Sequence, residues 1–170
     1  MVRVRTFREA VMGTQDIDNY RKVDDQFCTG GQPTEDQLKS AADEGIKAVI
    51  NLATFNPEHS LADEARLVRS LDMAYFAIPV EWENPKFEDF EDFEQVMAQL
   101  DGVKTLIHCA ANFRVTAFYG LYAMKHLGWT ETQAEDFRKP VWQGSDYPVW
   151  EQFIREMKAR IEAGLSGAGG

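Results

Sequence analysis

The chain has 170 residues, 44% of them hydrophobic and 27% charged, which suits one globular domain and excludes collagen, coiled coil and disorder. Its formal charge is -10, from 18 basic against 28 acidic residues, and no basic run offsets it. Nucleic acid and anionic membrane are therefore poor partners, and the apolar runs fall far below the ~18 residues that span a bilayer.

Arg3, Arg5 and Arg8 interrupt the first apolar positions, so no secretory leader is expected there. Two cysteines, Cys28 and Cys109, cannot build a disulfide framework, which fits a reduced, cytoplasmic setting. One domain is expected over residues 1–163, with a flexible Gly-rich tail over 164–170. Thr34, with Gln37 three residues on, forms a capping box that opens a helix running to about Glu44, and Gly45 ends it. Residues 47–52 read as a buried strand. Ser60 is expected to cap a helix with Leu61, Ala65, Val68 and Leu71 on one face, before a strand over 73–80.

Phe87, Phe90, Phe93, Met97 and Leu100 form a helical stripe, with Glu88, Asp89, Glu91, Asp92 and Glu94 solvated opposite. A strand over 104–108 follows, then a central helix over 115–127. Thr130 with Gln133 opens a short helix, and Trp150, Phe153, Ile154, Met157 and Ile161 mark the last. Strands spaced by helices give the fold class: α/β, a mostly parallel sheet of four to five strands flanked by helices.

The informative segment is residues 106–117, Leu-Ile-His-Cys-Ala-Ala-Asn-Phe-Arg-Val-Thr-Ala. An apolar strand ends at Cys109, a short loop follows, and a helix begins near Arg114. A helix N-terminus carries unpaired N–H groups and favours an anion. A cysteine so placed is a nucleophile at neutral pH. A guanidinium five positions later can grip two oxygens of a tetrahedral oxyanion. The arrangement predicts thiolate attack on a phosphate ester, with loop amides and arginine stabilising the transferring group.

Here the sequence resembles the cysteine-based protein phosphatases of the dual-specificity and tyrosine kind, whose signature is His-Cys, five residues, then Arg followed by Ser or Thr. Residues 27–34 (Phe-Cys-Thr-Gly-Gly-Gln-Pro-Thr), 45–52 and 75–80 look like the early elements of those domains. The likeness covers roughly residues 20–155. It is nearest to a bacterial branch of phosphatase-like proteins that carries a beta-lactamase-hydrolase-like name. The sequence departs from the signature in one respect: only Ala110, Ala111, Asn112 and Phe113 separate Cys109 from Arg114, and the loop has no glycine. Asn112 is the residue best able to take a left-handed conformation there. Four intervening residues is also the loop length of rhodaneses, so a sulfurtransferase using Cys109 is the rival reading. A catalytically inactive phosphate-binding protein is the third.

The resemblance implies roles. Cys109 would be the nucleophile and Arg114 the phosphate clamp, with the amides of Ala110, Ala111, Asn112 and Phe113 cradling the phosphate. His108 would fix the loop, and Thr116 would either donate to the departing thiolate or be a helix-start hydroxyl satisfied by backbone. The general acid falls on the loop after residue 80, where the family has an aspartate and this chain reads Glu81-Trp-Glu-Asn-Pro85. Glu83 is the first choice and Glu81 the second. Trp82 either packs over the pocket mouth or only buries its ring. His59, His108 and His126 show no metal-ligand spacing, and no dinucleotide or nucleotide-phosphate loop is present, so neither metal nor cofactor is expected. Asp146 is read as a helix cap or a residue reaching the pocket. Cys28 is a free thiol or a redox partner of Cys109.

Overall fold

A computed structural model describes residues 13–164; the arginine-spaced N-terminal segment and the tail beyond Gly164 lie outside the described residues. The strands are β1 (Arg21–Lys22), β2 (Phe27–Gly30), β3 (Ala48–Asn51), β4 (Ala74–Ala77) and β5 (Thr105–His108). They form one sheet in the order β1-β2-β5-β3-β4, antiparallel only between β1 and β2. The helices are α1 (Glu35–Asp43), α2 (Glu64–Ser70), α3 (Phe87–Gln99), α4 (Phe113–His126), α5 (Glu131–Arg138) and α6 (Pro148–Glu162). This is the α/β architecture that the alternation of elements predicts.

Local chemistry sets most of the boundaries. Both capping boxes form: Gln37 N donates to Thr34 Oγ1 at 3.0 Å and Gln133 N to Thr130 Oγ1 at 3.1 Å, each reciprocated by the glutamine side chain. The helix expected from Ser60 starts later. Asp63 is its cap, accepting from Arg66 N at 3.2 Å, while Ser60 Oγ accepts from Asn56 N and closes a turn. The strand expected over 73–80 is regular only over β4. Beyond it Ile78 N and Val80 N still bond to β3 and its extension, and Pro79 sits between them on the sheet edge, where a missing N–H costs nothing.

Strand alternation divides the core in two. Cys28, Val49 and Leu106 face α1 and α2, packing with Leu38, Ala41 and Val68. Phe27, Ile50, Ile107 and Cys109 face the larger layer, where Phe90, Phe93, Phe118, Trp150 and Phe153 form its aromatic centre. The acidic face of α3 is solvated as expected, except that Glu94 pairs with Lys125 of α4 at 2.7 Å. Among the described residues no helix is long and apolar enough to cross a membrane.

Phe118 is fully buried on α4 and meets the rings of Phe90, Phe93, Trp150 and Phe153. Phe118→Ala is expected to lower the unfolding free energy by about 3–5 kcal/mol, read as a lower urea midpoint at unchanged slope.

Candidate active site

The loop leaving β5 is shaped by a close approach. Cys109 N donates to Gly30 O at 3.3 Å and Gln32 N donates to Ala110 O at 3.0 Å. A Cβ on Gly31 would lie 2.7 Å from that Ala110 oxygen, so only glycine lets the two backbones meet. Asn112 takes the left-handed conformation, φ 67°, at the N-cap of α4. Its side-chain amide donates to Asn19 O at 2.7 Å and Thr29 Oγ1 at 3.0 Å, while Asn19 returns a bond to Ala111 O at 2.9 Å.

Because the Asn112 side chain is committed there, it does not cap the helix. The N–H groups of Phe113, Arg114 and Val115 in the first turn have no acceptor within α4, and the helix dipole puts partial positive charge on them. Cys109, fully buried, ends the strand on the face of the sheet against which α4 packs. Arg114 is buried in the first turn of α4. One of its five N–H donors, on Nη1, goes to Val80 O at 2.9 Å, and no carboxylate pairs with it among the described residues. Thiol, guanidinium and unpaired amides therefore share one short loop, which is suited to holding a tetrahedral oxyanion against sulfur.

Thr116 has its hydroxyl on the helix backbone, the second of its two expected arrangements. Its hydroxyl faces Asn112 O at 2.8 Å and Phe113 O at 3.1 Å, and accepts from the Trp142 indole N–H at 3.0 Å. Its one proton is committed to the helix backbone rather than to sulfur. Trp142 in turn stacks on Phe113 with ring centroids 5.3 Å apart.

Trp82 packs beside this pair, 5.9 Å from Phe113 and 5.8 Å from Trp142, and also contacts Tyr147 and Trp150. Trp150 Nε1 donates to Trp82 O at 2.7 Å. The loop after β4 is thus pinned against the first turn of α4. Glu81 follows the carbonyl that Arg114 holds and Glu83 follows Trp82; both carboxylates are exposed.

Beneath the loop is a polar network that sequence reasoning missed. His108 Nδ1 lies 3.2 Å from Cys109 O and Nε2 lies 2.7 Å from Glu64 Oε2. Gln32 Nε2 donates to Glu64 Oε1 at 2.7 Å, and Asn51 Nδ2 bonds to Tyr75 Oη at 3.0 Å and Glu64 Oε2 at 3.4 Å. Burial alone would raise the Glu64 carboxyl pKa. The hydrogen bonds from His108, Gln32 and Tyr75, with the electrostatic interaction with the His108 ring, outweigh it and hold the pKa below the ordinary glutamate value. A signal was available: Glu64 stands three residues after Leu61 and four before Val68, on the apolar stripe of its own helix.

Other candidates separate from the site. Cys28 pairs in register with Leu106, three residues short of Cys109, a separation of about 10 Å along the strand. The two thiols also lie on opposite faces of the sheet, so a disulfide between them is excluded; both are free. Burial raises the Cys28 pKa to about 11. Asp146 caps nothing, since Tyr147 holds the N-cap position of α6 and no side chain caps it. Among the described residues no cluster of His, Cys, Asp and Glu could hold a metal ion.

No protein-family model matches the sequence, and no curated protein matches it. Solved structures do. A DUF442 protein of Shewanella putrefaciens CN-32, described as a candidate phosphatase, is 31% identical, with TM-score 0.80 over 94% of this chain and 98% of that one. TpbA of P. aeruginosa, solved in complex with phosphotyrosine, shares the fold at 13% identity and TM-score 0.68, over 89% of this chain and 91% of its own. The catalytic domain of the PP-IP phosphatase SIW14 of S. cerevisiae does so at 14% identity and TM-score 0.64, over 87% and 93%.

Asn112 carries two separable contributions, a left-handed backbone and two buried hydrogen bonds. Asn112→Ala loses both and should destabilise the fold by about 2–4 kcal/mol. Asn112→Gly keeps the backbone and should recover about 1 kcal/mol of that loss, measured by urea denaturation of the three proteins.

Proposed function

The chain belongs to the DUF442 family of phosphatase-like proteins, and on that footing we propose that it is a metal-independent phosphomonoester hydrolase working through a cysteinyl-phosphate on Cys109. One observation carries the reading: Cys109, Arg114 and the uncapped first turn of α4 converge on one loop.

The phosphate of the substrate occupies the first turn of α4, its oxygens on the Phe113, Arg114 and Val115 amides and on the free donors of Arg114. The Cys109 thiolate gives an electron pair to phosphorus, and the bond from phosphorus to the ester oxygen breaks. That oxygen takes its proton from Glu83, or from Glu81, on the loop held by Trp82. A water molecule then attacks the cysteinyl-phosphate and returns a proton to the same glutamate. The sulfur–phosphorus bond breaks with its electrons left on Sγ, and inorganic phosphate departs. Arg114 and the loop amides bear the charge spread over the phosphoryl oxygens in both steps. The half-buried rings of Trp82, Phe113 and Tyr147 beside the loop favour an aryl ester, phosphotyrosine foremost.

A second reading has its own support. Cys109 has no exposed surface and Arg114 holds Val80 O, as an anion-binding protein without turnover would arrange them. The same loop length fits a rhodanese-like sulfurtransferase. The deciding experiment is hydrolysis of p-nitrophenyl phosphate in EDTA between about pH 5 and 8. Wild type should turn over, Cys109→Ser should not, and Glu83→Gln or Glu81→Gln should lower kcat by roughly 10²–10⁴. No turnover by the reduced wild type would overturn the phosphatase reading. Thiosulfate-dependent cyanide turnover would then mark the sulfurtransferase, and phosphate binding retained in Cys109→Ser the inactive binder.

A further inference from the structure

Two arginines are buried among the described residues, Arg114 and Arg138. The proposed reaction gives Arg114 a phosphate and gives Arg138 nothing. Arg138 ends α5, is only 9% exposed, and commits one of its five N–H groups, on Nη1, to Trp142 O at 3.3 Å. Its guanidinium lies over the Trp142 ring, 5.2 Å from the centroid, and against Gly144, where a Cβ would stand 3.3 Å from Nη1. The donors left free open on a cavity of about 320 Å³ between α5, the turn at 143–145 and α6. Other charges at this cavity cancel. Lys158 pairs with Glu131 at 2.9 Å and Glu135 at 3.1 Å, Lys139 with Glu135 at 3.2 Å, and Arg155 with Glu151 at 3.7 Å. Three cations meet three carboxylates, and among the described residues none of these pairs with Arg138.

A guanidinium stays charged at ordinary pH, and one carbonyl with an indole face compensates its burial only in part. Burial accordingly lowers the Arg138 pKa, and the charge of Glu135 does not restore it. At Arg114 the same condition is met by the phosphate of the proposed reaction. We propose that the cavity between α5 and α6 is a second phosphate site, in which Arg138 holds one phosphate group, free or on a monoester, apart from the Cys109 loop. A tetrahedral oxyanion suits the free donors because it can take two N–H groups of a guanidinium at once. Ser145 lines the same cavity and brings a hydroxyl donor. One side chain lies between the two sites: Trp142, held by Arg138 at its carbonyl and ring, stacks on Phe113 and donates to Thr116. The second site requires no turnover at Cys109.

The test is a ¹H–¹⁵N titration of the reduced protein with inorganic phosphate at neutral pH, with sodium chloride of equal ionic strength as the control. Phosphate should move the Gly144 and Ser145 amides saturably, and chloride should not. In Arg138→Gln, whose amide can still donate to Trp142 O, those shifts should need on the order of tenfold more phosphate. The Phe113, Arg114 and Val115 amides should respond as in wild type. Arg114→Met should leave the Gly144 and Ser145 shifts in place. Titrating Cys109→Ser with phenyl phosphate identifies the source: tighter binding than inorganic phosphate at Gly144 and Ser145 assigns the site to a monoester, weaker binding to the free ion. Shifts that chloride reproduces overturn the proposal, as do Gly144 and Ser145 amides that phosphate leaves unmoved or moves equally in Arg138→Gln. If that variant does not fold, the wild-type titration against chloride, with Arg114→Met, decides alone. Failure of the phosphatase reading would look different: wild type would not hydrolyse the ester, while the site at Arg138 would still bind phosphate.

Discussion

The site depends on where Asn112 directs its side chain. A residue at a helix N-cap ordinarily turns its oxygen onto the first amides of that helix and neutralises them. Asn112 instead reaches back to Asn19 O and Thr29 Oγ1, which fastens the loop to β2 and the segment before β1. One side chain thus fixes the loop and leaves the first turn of α4 open to an anion. Arg114 follows from this placement. It is the second residue of α4, and its guanidinium is steadied from the side by Val80 O.

The two faces of the sheet hold this loop in different ways. On the larger face the support is apolar and aromatic: Phe113 on Trp142, Trp82 on both, and Trp150 holding the Trp82 carbonyl. On the smaller face it is polar, through His108, Glu64, Gln32 and Asn51. Strand alternation makes the division unavoidable, because His108 and Cys109 are consecutive and must point to opposite sides. Cys109 on the aromatic side therefore has its neighbour His108 on the side where the buried Glu64 carboxylate lies. Rings supply shape and exclude water at little electrostatic effect, whereas the Glu64 carboxylate carries a desolvation cost that its hydrogen bonds to His108, Gln32 and Asn51 offset.

The elements legible in the sequence were those whose signals are local. Capping boxes at Thr34 and Thr130, the Phe87–Leu100 stripe and the strand–loop–helix passage through Cys109 all lie within a few residues of the feature they specify. Strand β2 was harder to see because Phe27–Gly30 is buried at every position and has no alternation, and the pairing that makes it a strand comes from β5, about eighty residues on. The same holds for the site. Spacing and resemblance point to Cys109, Arg114 and the candidate acids, whose roles are those proposed above. Spacing leaves Thr116 open between sulfur and backbone, and cannot show that its proton turns to the helix carbonyls while its oxygen accepts from a tryptophan 26 residues later. Glu64 was passed over because an acid near a helix start is usually a solvated one, and only the fold brings it 44 residues along the chain to His108.

The missing glycines of the loop have an explanation in its neighbour. A phosphate-binding loop must bring backbone close to backbone and turn one residue left-handed, and glycine commonly serves both needs. Here the needs are separated. Close approach is met by Gly31, just beyond the end of β2, where a Cβ would strike the Ala110 oxygen. The left-handed turn is met by Asn112, whose amide compensates its strained backbone with two hydrogen bonds that glycine could not make. A loop of alanines, asparagine and phenylalanine also has fewer unfolded conformations to lose on folding than one carrying its own glycines. Gly31 thus belongs to the geometry of the loop between Cys109 and Arg114 as much as to the end of β2 that it follows.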